Sequence, residues 1–93
     1  MEIPATLLMT SGTYVYVAVK GSVHSSTSQA YGLDKDEETA LAKKYTNLCE
    51  PVVNGVLVKA SPVELINALG ELGYKVVTQS GESEIVWTMQ REV

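Results

Sequence analysis

Ser61-Pro62-Val63-Glu64-Leu65-Ile66-Asn67-Ala68-Leu69-Gly70-Glu71-Leu72-Gly73 is a helix written with both of its ends. Ser61 is placed to accept a hydrogen bond from the third helical amide, and Glu64 to return one to the serine amide. Pro62 holds the first helical position, where no amide is required. Leu65, Ile66, Leu69 and Leu72 recur on one side at helical spacing, and Gly73 stands where a left-handed residue ends a helix. The spacing therefore predicts a helix over Pro62–Leu72 whose apolar face needs a sheet to cover it.

Working outward supplies that sheet. Downstream, Tyr74–Thr78 and Glu84–Met89 are strand-like runs separated by Gln79–Ser83, which predicts a closing hairpin. Upstream, Val52–Lys59 is β-branched and interrupted by Asn54-Gly55. It reads either as one strand with a bulge at Gly55, over Val53–Lys59, or as a turn followed by a shorter strand. Asp34–Tyr45 places acids first and lysines last, the order that the helix dipole favours, and predicts a helix with Leu41 and Tyr45 on one face. Gly21–Gly32 has four serines and no apolar period, so 21–33 is expected to be a mobile surface loop. Before it, Thr13–Lys20 puts Tyr14, Tyr16 and Ala18 on one strand face and Val15, Val17 and Val19 on the other. Ala5–Thr10 reads as its hairpin partner across a Ser11-Gly12 turn. The expectation is a single α+β domain over 1–93, a mainly antiparallel sheet in the order ββ-loop-α-β-α-ββ with two helices on one face.

Composition narrows the function classes. With 7 Lys+Arg against 11 Asp+Glu, the net charge of -4 has the wrong sign for a protein that binds by neutralising phosphates, so no nucleic-acid partner is expected. A single cysteine, Cys49, makes no internal disulfide, and with a single histidine, His24, the chain lacks the ligand set of a structural zinc site. No basic and apolar leader opens the sequence, and no run approaches the roughly 20 apolar residues that span a bilayer. A soluble cytoplasmic protein, nuclear as well in some settings, is expected, with no membrane partner. At 93 residues the core is thin, and self-association is a common remedy.

Candidate chemistry is sparse. His24 sits in a serine-rich loop, where a general-base role beside Ser22 or Ser25 competes with the plainer reading of a solvated histidine. Cys49 precedes Glu50, which opposes thiolate formation, so a structural thiol is the better reading. The acids Asp34, Asp36, Glu37 and Glu38 lack the glycine and terminal glutamate of a calcium loop and read as a helix start. Tyr14 and Tyr16 beside Trp87 read either as an aromatic surface or as ordinary half-buried strand residues. No catalytic residue, metal site or cofactor is predicted.

The segment Ser61–Gly81, followed by Ile85-Val86-Trp87-Thr88-Met89-Gln90-Arg91-Glu92, resembles the GTP cyclohydrolase I feedback regulatory protein family. That family has a Pro-initiated amphipathic helix, a Gly-aromatic-basic-Val strand start, a Thr-Gly turn and a Val-Trp strand ending in charged residues. Leu7-Leu8-Met9-Thr10-Ser11 is similar to its opening Leu-Leu-Ile-Ser-Thr strand. The family's Thr-Gly-Val-Gly-Gln-Thr hairpin stands here as Ser80-Gly81-Glu82-Ser83-Glu84-Ile85, with acids in place of apolar and amide groups.

The resemblance implies a non-catalytic regulator, a homopentamer that docks on GTP cyclohydrolase I. Phenylalanine would promote a stimulatory complex and tetrahydrobiopterin an inhibitory one. The partner and effector residues expected on this reading are Gly12, Thr13, Tyr14, Ser80, Gly81, Glu84 and Trp87, with the turns Ser11–Tyr14 and Ser80–Glu84 at or near one interface. Glu82 and Glu84 should repel an effector's carboxylate, so weak phenylalanine binding is expected. Self-association is expected through sheet edges, with Thr13–Lys20 as an uncharged edge. Two alternatives remain open at the level of sequence: an unrelated interaction module, such as an inhibitor or antitoxin-like protein, and a small enzyme using His24 or Cys49.

Overall fold

A computed structural model of the chain describes residues 14–92. Its elements are β1 (Tyr14–Gly21), β2 (Ser28–Tyr31), α1 (Lys35–Lys44), β3 (Cys49–Val52), β4 (Gly55–Val58), α2 (Pro62–Glu71), β5 (Lys75–Ser80) and β6 (Ile85–Glu92). The strands form one antiparallel six-stranded sheet in the order β3-β4-β2-β1-β6-β5, and the fold is the expected α+β. Its spine is the β1–β6 pair, in register from Tyr14 opposite Glu92 to Gly21 opposite Ile85.

Alternation along β1 sorts the two faces. Val17 and Val19 are buried and Tyr14 and Tyr16 exposed, so the valine side carries the core. Ala30, Val56, Val58, Trp87 and Met89 join that side, and Leu41 of α1 with Leu65, Ala68 and Leu69 of α2 closes over it. Among the described residues no helix covers the opposite face.

Four expectations need correction. The segment 21–33 is not a loop throughout, because Ser28–Tyr31 is β2, an interior strand between β1 and β4. It has no apolar period because its buried positions are small: Ser28 and Ala30 lie under the helical layer. The buried hydroxyl is satisfied, since Ser28 Oγ donates to the Ala60 carbonyl at 2.9 Å.

The strand expected over Val53–Lys59 is a hairpin, with β3 and β4 flanking a turn at Val53-Asn54 where Asn54 has φ 61°. Pro51 fits in β3 because that strand is an edge and leaves one side unpaired. The turn alternative is therefore the one observed.

The reciprocal capping box forms at α1 and not at α2. Asp34 Oδ1 accepts from Glu37 N at 2.8 Å, and Asp34 N donates to Glu37 Oε1 at 3.0 Å. At α2 the serine half is present, with Ser61 Oγ accepting from Glu64 N at 3.2 Å. Within α2, Leu65 and Leu69 are fully buried, Ala68 joins them, and Ile66 and Leu72 are only partly covered. Gly73, at φ 96°, ends the helix as expected.

Finally, β1 is not a sheet edge; it lies between β2 and β6. The edges are β3 and β5, and β5 is exposed along its whole length. The hairpin partner expected over Ala5–Thr10 lies outside the described residues.

Candidate functional site

Of the two expected turns, the one in the β5–β6 hairpin lies wholly within the described residues. Gly81 has φ 109°, and a Cβ there would lie 2.1 Å from the Glu84 carbonyl oxygen. Only glycine fits that hairpin, so the close approach it permits is to the chain's own backbone. The turn sets Glu84 beside the end of β1, with Lys20 Nζ 3.6 Å from Glu84 Oε1.

Next to this pair, the turn leading from β1 into β2 forms a polar cavity of about 270 Å³ lined by Lys20, Ser22, Ser25, Thr27, Gln29 and Glu84. Thr27 N donates to Ser25 Oγ at 3.1 Å, which organises the hydroxyl side of the cavity. One ammonium, one carboxylate and several hydroxyls can hold a polar group there.

Of the other expected turn, Ser11–Tyr14, only Tyr14 is among the described residues, and it stands at the far end of the sheet. Tyr14 opposes Glu92 while Glu84 neighbours Ile85, the residue opposite Gly21, so the two sites are separated by the length of β1. Seven strand steps correspond to about 23 Å. The structure therefore brings Ser80, Gly81 and Glu84 together and sets Tyr14 apart from them. Gly12 and Thr13 lie outside the described residues. Trp87 opposes Val19 on the helix-covered side and is only 8 % exposed, so it belongs to the core. It shares no surface with Tyr14 and Tyr16, which stand on the open face with Tyr31, the partner of Ala18.

His24 is exposed in the turn leading into β2. Cys49 is half-buried, and burial pushes its thiol pKa up. Its Sγ faces the Leu41 carbonyl at 3.8 Å, a setting that favours the protonated, unreactive thiol. Asp34, Asp36, Glu37 and Glu38 form the helix start that their order predicts.

Sequence reasoning misses one polar cluster. Glu37, only 6 % exposed, accepts a hydrogen bond from Tyr74 Oη at 2.6 Å, and Arg91 Nη1 lies 3.1 Å from the same carboxylate oxygen. Arg91 also donates to the Leu72 carbonyl at 3.0 Å, and its guanidinium lies 4.6 Å from the centre of the Tyr74 ring. The Tyr74 hydroxyl is pushed up to about 12, first by burial, then by its bond to Glu37 and that group's charge, with Arg91 opposing. The cluster ties α1 to the end of α2 and to β6, a structural clamp. Its one sequence signal is an acid at the third position of α1 where the cap requires it, which does not reveal the long-range partners.

Compared with known proteins, the chain matches no protein-family model and no curated protein.

Proposed function

We propose that this chain is a cytoplasmic, non-catalytic regulatory protein that docks on an enzyme and shifts its activity. On the resemblance of its last third, the partner is GTP cyclohydrolase I, the effectors are phenylalanine and tetrahydrobiopterin, and the working form is a homo-oligomer, a pentamer. The observation that carries the reading is the geometry of 61–92. A Pro-initiated helix, a left-handed Gly73, a strand, a tight turn at Gly81 and a strand holding Trp87 follow one another as a single packed unit. A regulator needs no reactive constellation; it needs a rigid surface that meets two enzyme states with different affinity.

The docking tip on this reading is the Ser80–Glu84 turn with the neighbouring Lys20, not a surface shared with Tyr14. Lys20 also alters the electrostatics expected of the tip. Its ammonium 3.6 Å from Glu84 offsets part of the negative charge, so an amino-acid effector meets both signs there.

The test is the mass of mixtures of this protein and GTP cyclohydrolase I, measured with and without phenylalanine. The reading expects a complex heavier than the enzyme alone, with a population that changes with phenylalanine. Absence of a complex under every effector condition would overturn it and leave an interaction module for another partner. Binding that ignores phenylalanine would remove the effector alone, and Glu84→Gln would then show whether the tip contributes to docking.

A further inference from the structure

We propose that the cavity where the β1–β2 turn meets Glu84 binds a small neutral ligand that presents a vicinal diol, a monosaccharide or an open-chain polyol. Ser22, Ser25 and Thr27 of the serine-rich stretch line it, hydroxyls that enzyme docking leaves without a role. The cavity is preformed. Ser25 N donates to the Ser22 carbonyl at 2.9 Å and Thr27 N to Ser25 Oγ at 3.1 Å, which closes the turn on itself. Its flanks are held as well. Ser28 Oγ is bonded to the Ala60 carbonyl, and Gly21 lies so close to the start of α2 that a Cβ there would meet Pro62 Cγ at 2.9 Å. Lys20 and Gln29 face one another across β1 and β2. With Ser22 and Ser25 they are half-buried, while Val23, His24 and Ser26 of the same turn are exposed. A site fixed before its ligand arrives loses little ordering entropy on binding.

The hydrogen-bonding groups set the ligand class. The Tyr31 hydroxyl donates to Gln29 Oε1, so among the described residues both amide protons of Gln29 are left for another acceptor. Lys20 Nζ and Glu84 Oε1 stand 3.6 Å apart, beyond hydrogen-bonding distance. Each therefore keeps its own donors or acceptors while the two charges offset one another. An anion entering the cavity is repelled by the Glu84 carboxylate and a cation by the Lys20 ammonium; a neutral polyol meets neither. Two adjacent hydroxyls fit the pair directly, one donating to Glu84 and its neighbour accepting from Lys20. Gln29 and the turn hydroxyls then serve the remaining oxygens of the ligand. Glycine carries both charges but has no hydroxyls for Ser22, Ser25 and Gln29. The volume of about 270 Å³ lies just below the ~300–1,000 Å³ of drug-sized ligand sites, room for one monosaccharide-sized molecule.

The test is titration of the isotope-labelled full chain, followed by its amide NMR shifts, with D-glucose, D-mannose, sorbitol, glycine, inorganic phosphate and cyclohexanol. At least one of the two sugars and sorbitol should give saturable shifts confined to 20–29 and 84–85, with half-saturation in the millimolar range. Comparing the sugars with sorbitol tells a ring from an open chain. Glycine, phosphate and cyclohexanol, a ring with a single hydroxyl, should give no saturable shift there. Glu84→Ala and Gln29→Ala should each weaken binding about tenfold or more while the spectrum stays dispersed, and Ser26→Ala, outside the cavity lining, should leave it unchanged. Three results would each overturn the proposal: no saturable shift from any of the three polyols, equal shifts from glycine or phosphate, or polyol binding that survives both cavity variants. None of these bears on the mass of mixtures with GTP cyclohydrolase I, so the cavity and the docking reading fail separately.

Discussion

Replacing Tyr74 by phenylalanine removes one atom from the clamp that holds α1 to the rest of the fold, and its cost follows from what each neighbour retains. The ring stays buried, because phenylalanine fills the same volume, so the packing contribution is nearly unchanged. The hydrogen bond to the Glu37 carboxylate, 2.6 Å long, is lost. Bonds to charged groups contribute about 1.5–3 kcal/mol. Glu37 is not left without partners, since Arg91 remains 3.1 Å from Oε2 and the Asp34 amide 3.0 Å from Oε1. The expected loss therefore lies at the lower end, about 1.5–2 kcal/mol. Glu37→Gln keeps a side-chain oxygen for the Asp34 amide but removes the charge that Arg91 and Tyr74 share. The two substitutions act on one bond, so the double variant should cost less than their sum by about 1 kcal/mol or more. Urea unfolding at matched protein concentration, followed by the fluorescence of the single, buried Trp87, measures all three variants. Additivity within about 0.3 kcal/mol, with Tyr74→Phe costing under about 0.5 kcal/mol, would refute the clamp.

The same group gives a pH dependence. Tyr74 is raised from an ordinary value of 10.0 to about 12, so its contribution is fully present below pH 10 and lost as pH rises through about 12. Wild type should lose about 2–3 kcal/mol over that window beyond what Tyr74→Phe loses, as read by urea midpoints at each pH. Leu69→Ala, at a side chain with no exposure, should cost about 2–5 kcal/mol by the same unfolding assay, and under about 0.5 kcal/mol would displace Leu69 from the core. Gly81→Ala sets a Cβ 2.1 Å from the Glu84 oxygen at a positive φ and should cost about 1–3 kcal/mol. Faster amide exchange confined to 80–85 would locate that strain, and an unchanged hairpin would contradict the turn geometry.

The legible parts of this fold are those whose signals are local. Helix α2 is written by Ser61, Pro62, its leucine spacing and Gly73, all within thirteen residues, and the observed boundaries differ by one position. Strand β1 is legible because its tyrosines and valines alternate and the sheet buries one set. Strand β2 is not legible, because what makes it a strand is its place between β1 and β4. A serine and an alanine suffice at its buried positions when a helix packs closely above, and Ser28 finds its partner 32 residues away at Ala60. Glu37 is misread for the same reason. Its capping bond is local and predictable, whereas Tyr74 and Arg91 lie on elements that meet it only after folding.

The placement of the site residues turns on a single non-local fact, the antiparallel pairing of the fifteenth to nineteenth residues with the eighty-seventh to ninety-first. Because β6 runs against β1, the turn that opens β6 lies where β1 ends, and Tyr14, which begins β1, lies where β6 ends. No local pattern in the sequence states that pairing, so the Ser80–Glu84 turn and Tyr14 carry no mark of lying about 23 Å apart. The same register decides the aromatic residues. Trp87 opposes Val19 and inherits its side of the sheet, while Tyr14 and Tyr16 take the other. On the proposed reading this separation has a functional consequence. Enzyme docking at the Ser80–Glu84 end does not involve the Tyr14 end of β1, so Glu84→Gln should alter complex formation with GTP cyclohydrolase I and Tyr14→Ala should leave it unchanged, as read from the mass of the mixtures.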